Sequence, residues 1–423
     1  MSRSERTTAI HVVEALRKGI PPRHGVGLYS VGHEKLLDGI SKYHLQGIED
    51  QGIIRFMSGS WGAGKTHFFR LVRELAFKHE CLVSNVELNV HDAALDKFER
   101  VFYSIISSIT TPLYYEEDTG QEAAPFGAVV RESLAYLATG LRDIGNEITH
   151  DGYQKASETL MTDRSIDIDF KKMIQKYWET FLPEAAEPII QEQTRAEILQ
   201  WFSGEGSAGT YRRRFGVTKI VSKDNAKLML RSLAAFVRLS GYKGLVILFD
   251  EAEQAFSIMK TSQLKDAQNN LLSLINNIEG LTGLYMIYAT TPDFYTDPKK
   301  GIIIYGALAG RIGKPEDRAP RALQNVWNFD AEETALADYI AAARKIRAVY
   351  LKAHPGTEKD IPDEGAVESF VDALFQQHPT FSGVRFWRVL VTALVTHFDD
   401  ILDGDVRPVE KLYDHVIDRL REE

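Results

Sequence analysis

The chain has 423 residues, of which 44% are hydrophobic and 26% charged, as in ordinary soluble globular proteins of about two or three domains. Its 59 acidic and 50 basic residues give a formal net charge of −9, which argues against coating nucleic acid by bulk charge but leaves room for a local basic patch. No run of about 18 apolar residues could span a bilayer. The single cysteine, Cys81, cannot form an internal disulfide. We therefore expect a cytoplasmic protein without a membrane partner.

The first hundred residues predict a helix followed by a sheet. Residues 3–18 have a helical apolar pattern that ends at a Gly- and Pro-containing break. The segment Leu28-Tyr-Ser-Val-Gly-His-Glu34 then leads into a second helix. Composition alone leaves two interpretations of this segment: an adenine pocket or a surface connector.

Residues 59–66 carry the most specific motif of the chain. They read Gly-Ser-Trp-Gly-Ala-Gly-Lys-Thr, which matches the phosphate-binding loop G-x-x-x-x-G-K-[ST]. A strand-like run at 52–58 precedes the loop and a helical pattern at 67–79 follows it. This order places backbone N–H groups and a helix N-terminus against a nucleotide's phosphates.

The motif predicts a site for ATP and Mg²⁺. Lys65 is expected to bridge the β- and γ-phosphates, and Thr66 to bind the metal ion. ATP is the default because no Asn-Lys-x-Asp guanine-reading motif is present. The predicted nucleotide contacts are Gly59, Ser60, Trp61, Gly62, Ala63, Gly64, Lys65, Thr66 and His67.

A second strand and a long helical region follow. Residues 80–90 are typical of a strand, and Asn85, Glu87 or Asn89 could face the γ-phosphate or could cap the strand. Residues 97–202 are mostly helical in pattern and predict a long insertion, of the kind that usually carries partner specificity. The predicted helices are 98–109, 127–146, 170–181 and 186–202.

A short basic segment follows the insertion. Residues 204–210 read as a flexible joint, and Tyr211-Arg-Arg-Arg-Phe215 follows. The arginines and aromatic rings could bind phosphates and stack on bases of DNA. The alternative is a solvated charged face. Residues 223–240 predict an amphipathic helix.

Leu245-Val-Ile-Leu-Phe-Asp250-Glu251 predicts a buried central strand that ends in two acids. Asp250 is expected to hold Mg²⁺ and Glu251 to act as general base, although the start of an acidic helix would look similar. Residues 263–278 predict a further helix. The strand predicted at 283–292 ends in Thr290 and Thr291, either of which could orient the attacking water or form an ST-turn.

The last hundred residues predict a loop-rich segment and a helical lid. Arg311, Arg318 or Arg321 could be an arginine finger for a neighbouring subunit of a homo-oligomer, or an ordinary surface charge. Arg385 could reach the γ-phosphate from the lid, after a cap at Ser382, or could serve only lid packing. The four lid helices are predicted at 332–353, 363–376, 382–397 and 409–421.

These elements predict an α/β fold with an AAA+-like P-loop NTPase core, a parallel sheet, a helical insertion and a C-terminal lid. The predicted divisions are 1–96 for the first part of the core, 97–210 for the insertion, 211–329 for the rest of the core and 330–423 for the lid. The catalytic group is predicted to be Lys65, Glu251, Thr290, Arg311 and Arg385, with Thr66 and Asp250 on the metal.

The motifs resemble those of AAA+ ATPases. Among these ATPases, they resemble the origin-recognition and STAND-like branch. Val31-Gly-His-Glu34 resembles the V-G-R-E box, with histidine in place of arginine, and Gly383-Val-Arg385 resembles a shortened lid arginine motif. More narrowly, residues 13–22, 58–69 and 211–251 resemble the BREX-type phage-defence ATP-binding proteins. That resemblance implies a cytoplasmic ATPase that works beside a helicase or other defence proteins, on DNA.

Two functions remain open from the sequence. The first is an ATP-hydrolysing switch or motor that oligomerises and acts with partners on DNA. The second is a non-hydrolysing, ATP-dependent scaffold or sensor that recognises a partner protein through its helical insertion. The Asp-Glu pair favours hydrolysis.

Overall fold

The computed structural model describes residues 3–89, 93–116, 126–143, 145, 148–182, 187–252, 259–331, 334–379 and 384–422. A six-stranded sheet lies at the centre, in the order β3-β2-β4-β5-β1-β6. β3 is antiparallel to β2 and the other pairs are parallel. The strands are β1 (Gly52–Ser58), β2 (Cys81–Glu87), β3 (Ile109–Thr110), β4 (Gly244–Asp250), β5 (Leu284–Thr290) and β6 (Val326–Asn328).

Helices surround this sheet. Those of the first half are α1 (Arg3–Arg17), α2 (Glu34–Ile40), α3 (Lys65–Lys78), α4 (Phe98–Ser107), α5 (Pro112–Glu116), α6 (Phe126–Thr139), α7 (His150–Thr162), α8 (Ile168–Glu179) and α9 (Pro188–Phe202). Those of the second half are α10 (Ala208–Phe215), α11 (Ala226–Leu239), α12 (Thr261–Asn276), α13 (Asp293–Thr296), α14 (Gly306–Ile312), α15 (Leu336–Ala353), α16 (Glu364–Gln377), α17 (Phe386–Asp403) and α18 (Val409–Glu422). None of the described helices is long and apolar enough to cross a membrane.

The sheet separates two hydrophobic cores because successive strand residues point to opposite faces. On β4, Leu245, Ile247 and Phe249 face the core formed with the insertion helices, α11 and α12. Val246 and Leu248 face the core formed with α3, the lid helices and α1. A strand buried on both faces explains the continuous apolar run in the sequence, and the predicted fold class is confirmed.

The first helix packs on the last part of the chain. Val12, Val13 and Leu16 are buried among the lid helices α15 and α17. Arg17 donates from Nε and Nη2 to the two carboxylate oxygens of Asp399, at 2.7 and 3.0 Å. The division at residue 96 stays a prediction, and α1 belongs to the core that the lid helices share with one face of the sheet.

Several element predictions were wrong in detail. The helix predicted at 127–146 ends at Thr139, because Gly140 takes a left-handed φ of +83° and its N–H caps the carbonyl of Tyr136. α7 and the short strand β6 were not predicted. The joint predicted at 204–210 is partly helical, since the Ser207 hydroxyl caps the start of α10. The lid helix predicted from residue 382 begins at Phe386, and the proposed cap Ser382 lies outside the described residues.

Candidate nucleotide-binding site

The glycine loop connects β1 to α3 and leaves the helix start open. Gly62 and Gly64 have φ of +76° and +85°, values that side chains with a Cβ rarely adopt. Gly64 is the N-cap of α3, and no side chain caps the helix there. The start of α3 therefore directs backbone N–H groups and the positive end of the helix dipole towards the loop, an arrangement that favours an anion.

Lys65 is held against the loop. It is largely buried, and its Nζ donates to the carbonyl of Gly59 at 2.6 Å and to that of Ser60 at 3.3 Å. The Nζ also lies 5.8 Å from the ring centroid of Trp61, a side chain that is 64% exposed. The ammonium group is thus placed at the loop before any phosphate is bound, and it could exchange the carbonyls for phosphate oxygens.

Thr66 meets the acidic strand. Its Oγ1 donates to Oδ2 of Asp250 at 2.9 Å, across 184 positions of sequence. The two residues reach each other because β1 and β4 flank β5 in a parallel register, so that their carboxyl ends lie at one edge of the sheet. Hydroxyl and carboxylate oxygens are the ligands that Mg²⁺ prefers. The uncapped helix start and this oxygen pair fit a Mg²⁺-bound triphosphate.

Glu251 has an unusual backbone and a perturbed carboxyl group. Its φ is +56°, in the left-handed region, and its N–H donates to Oδ1 of Asp250 at 3.0 Å. Burial raises the pKa of Glu251, and the negative charges of Glu87 and Asp250 raise it further, whereas Lys65 opposes the shift. A carboxylate with a raised pKa suits a general base. Glu87, one of three residues considered from the sequence for this edge, therefore lies near the site.

Thr290 lies on the strand between the two motifs, as predicted, but its hydroxyl is already engaged. The side chain is fully buried, and Oγ1 lies 3.0 Å from the carbonyl of Met57 and 2.9 Å from the hydroxyl of Tyr295. Thr290 could orient a water molecule only after it releases one of these partners. Its catalytic role stays a prediction.

Arg385 reaches the loop through a residue that sequence reasoning missed. Its Nη2 donates to Oδ1 of Asp330 at 2.6 Å, and Oδ2 of Asp330 accepts from the N–H and hydroxyl of Ser60 at 2.8 and 2.7 Å. A Cβ on Gly62 would lie 3.2 Å from Cγ of Arg385. The lid arginine therefore packs on the phosphate loop itself.

His67 joins the loop to the segment before β1. Its Nδ1 lies 3.2 Å from the hydroxyl of Tyr29 and its Nε2 lies 2.7 Å from that of Ser30. Burial lowers the pKa of His67 to about 3, and nearby His33 adds to the shift. Lys345 of the lid donates to the carbonyl of Ser30 at 2.7 Å. The segment predicted as an adenine pocket or a connector thus lies between α3 and the lid.

Arg311 lies away from this group. It is in the last turn of α14, and its Nε donates to Oδ1 of Asn276 at 3.0 Å, at the end of α12. The chain just after α12 contacts Gly52, where β1 begins, so Arg311 lies towards the amino ends of the strands. Within one chain the structure does not bring Arg311 to Lys65, and its role as an arginine finger stays a prediction.

The basic segment at 211–215 matches the second of its two sequence interpretations, a solvated charged face. Tyr211 and Phe215 are buried, whereas Arg212, Arg213 and Arg214 are exposed. Aromatic stacking on bases is therefore excluded in this conformation. Arg214 forms an ion pair with Glu197, so Arg212 and Arg213 are the cations more open to a phosphate backbone.

Comparison with known proteins identifies the family. A family model described as BREX system ATP-binding protein BrxC/D matches residues 4–415, nearly the whole chain. No curated protein and no solved structure shows significant similarity to the chain. The resemblance drawn from the phosphate loop, the acidic strand and the first helix is confirmed. The chain belongs to the family of BREX system ATP-binding proteins BrxC/D.

Proposed function

We propose that this protein binds ATP with Mg²⁺ at the loop of residues 59–66 and hydrolyses it as an AAA+-like switch. The observation that carries the proposal is the 2.9 Å hydrogen bond between Thr66 and Asp250, which brings the glycine loop and the acidic strand to one edge of the sheet. The glycine N-cap of α3 supports it, because the N–H groups and the dipole at the start of a helix favour an anion.

Each residue of the site has a distinct part in this function. Thr66 and Asp250 are the proposed Mg²⁺ ligands, and Lys65 neutralises the β- and γ-phosphates. Glu251 accepts a proton from the attacking water, a role that its raised pKa favours. Bound Mg²⁺ supplies charge neutralisation of the triphosphate, which the carboxylates of Asp250, Glu251 and Asp330 would otherwise repel.

We propose that hydrolysis also uses a residue of a neighbouring subunit. Arg311 is proposed to act on the nucleotide of a neighbouring subunit, so that the active form is a homo-oligomer. The exposed arginines 212 and 213 are proposed to contact DNA phosphates, and the helical insertion to contact partner proteins of the BREX system such as a helicase. The solution mass with ATP and Mg²⁺, with and without DNA, tests the oligomer.

One observation favours a second function, a non-hydrolysing scaffold or sensor. The Thr290 hydroxyl is engaged by Met57 and Tyr295, so it is not available to orient an attacking water molecule unless one of these hydrogen bonds breaks. In this function ATP would only order the lid and thereby alter partner contacts.

Phosphate release by the purified protein separates the two functions. It is measured with and without DNA for wild type, Lys65→Ala and Glu251→Gln, with the exposed Glu279→Gln as a charge-matched control. If the protein hydrolyses ATP, wild type should release phosphate, and Glu251→Gln should abolish this release while ATP still binds. Lys65→Ala should no longer bind ATP. ATP binding without turnover in any condition would favour the scaffold, and absence of ATP binding would refute both.

A further inference from the structure

Asp330 joins three parts of the molecule that are distant in sequence. Its Oδ2 accepts two hydrogen bonds from Ser60 of the phosphate loop, at 2.8 and 2.7 Å. Its Oδ1 accepts from Nη2 of Arg385, in the lid, at 2.6 Å. One carboxylate oxygen therefore binds the phosphate loop and the other binds the lid.

The backbone around Asp330 is fixed to the sheet edge. The N–H of Phe329 donates to the carbonyl of Ser58 at 2.8 Å, and the N–H of Asp330 donates to Oδ1 of Asn328 at 3.1 Å. β6 pairs in parallel with β1, which ends at the phosphate loop. The carboxylate is thus held beside the loop by the sheet itself and not by the lid.

The contact of Asp330 with Arg385 is weaker than its contacts with Ser60. The Arg385 side chain is 46% exposed and that of Asp330 is 24% exposed. An ion pair at this exposure contributes little net stability, because water and salt screen it. Arg385 starts α17 and packs along Gly62, so a small movement of the lid would move its guanidinium across the loop.

We propose that Asp330 is a positioning residue that competes with the terminal phosphate for Arg385 and so sets the preference of the site for ATP over ADP. This inference rests on the proposed nucleotide site. When a γ-phosphate is present, Arg385 exchanges the carboxylate for phosphate oxygens, with which guanidinium forms bidentate, charge-assisted hydrogen bonds. Oδ2 of Asp330 keeps its hydrogen bonds with Ser60 during this exchange. ADP lacks the third phosphate, so it does not draw Arg385 away.

Asp330→Asn tests this exchange. The amide oxygen can still accept from Ser60, but the ion pair with Arg385 and the negative charge beside the phosphates are lost. We expect ATP to bind about fivefold more tightly than to wild type, the scale of an exposed ion pair, and ADP to change less. Calorimetric titration with Mg²⁺-ATP and Mg²⁺-ADP in a Glu251→Gln background, which prevents turnover, gives both dissociation constants.

Arg385→Gln supplies the second half of the test. It should weaken ATP binding and leave ADP binding nearly unchanged. In the Arg385→Gln background, adding Asp330→Asn should no longer change the ratio of ATP to ADP affinity, because Asp330 acts through Arg385. The matched control is Asp418→Asn, which removes the same charge from an exposed position on the lid helix α18.

The outcomes separate the failure of this inference from that of the proposed function. Equal changes in ATP and ADP affinity on Asp330→Asn, or a change in their ratio that persists with Arg385→Gln, would show that Asp330 does not act through Arg385, and would overturn the inference alone. If wild type binds neither nucleotide, the proposed site is overturned and the inference with it. Should Asp330→Asn fold poorly, the ATP and ADP affinities of Arg385→Gln still decide, since an equal effect on both contradicts the exchange.

Discussion

The variant Glu251→Gly should be more stable to unfolding than Glu251→Gln, although both substitutions remove the same carboxylate. The φ of +56° costs a residue with a Cβ about 1–2 kcal/mol, whereas glycine adopts it freely. Glycine loses about 0.5–1 kcal/mol more backbone entropy on folding. The difference predicts that Glu251→Gly exceeds Glu251→Gln in free energy of unfolding by about 0–1.5 kcal/mol, with a midpoint of about 0.75 kcal/mol.

The assay is urea unfolding of both variants at pH 7.5, followed by circular dichroism. Glu80 supplies a matched pair, because it is the other described non-glycine residue with a positive φ, at +54°. Glu80→Gly should likewise be more stable than Glu80→Gln. Both Glu251 variants should reduce phosphate release about 10²–10⁴-fold, as loss of a general base requires. If Glu251→Gly is no more stable than Glu251→Gln while the Glu80 pair behaves as expected, the strain argument for Glu251 is refuted.

Two further predictions concern charge. Burial lowers the pKa of His67 to about 3, whereas the unfolded chain has a histidine pKa of about 6.5. Between these two pH values the unfolded chain binds one more proton than the folded chain. The free energy of unfolding therefore falls as pH falls, by at most about 1.4 kcal/mol per pH unit. His67→Gln should reduce the pH slope of the free energy of unfolding between pH 7.5 and 5.5, with the exposed His415→Gln as control, and coincident slopes for His67→Gln and wild type would contradict this. Arg212→Glu with Arg213→Glu should weaken DNA binding uniformly across sequences and lower its salt dependence, measured by fluorescence anisotropy. Arg231→Glu, at an exposed position on α11, is the charge-matched control, and unchanged binding by the double variant would place any DNA contact elsewhere.

The nucleotide loop and the acidic strand could be predicted because their chemistry requires particular residue types at fixed spacing. The glycines at 62 and 64 are dictated by backbone conformation, and Thr66 follows the loop lysine directly. The apolar run before Asp250 is dictated by burial on both faces of the sheet. These signals are local, so that no knowledge of the fold was needed to find them.

Asp330 could not be predicted, since its role depends on contacts with residues 270 and 55 positions away. The strand that positions it, β6, has only three residues and pairs with β1 far back in the chain. The burial of Tyr211 and Phe215 was missed for a similar reason. Their packing partners lie in the helical insertion, and the sequence shows only the alternation of rings and cations.

The packing of α1 on the lid has a consequence for biosynthesis. Arg17 and Asp399 are separated by 382 positions, so the first helix leaves the ribosome long before its partners exist. Until the lid helices emerge, the surface of α1 that packs on α15 and α17 remains uncovered. The lid can therefore close over α1 only after α17 has been synthesised, and deletion of α1 should expose the surface of α15 and α17 that it covers.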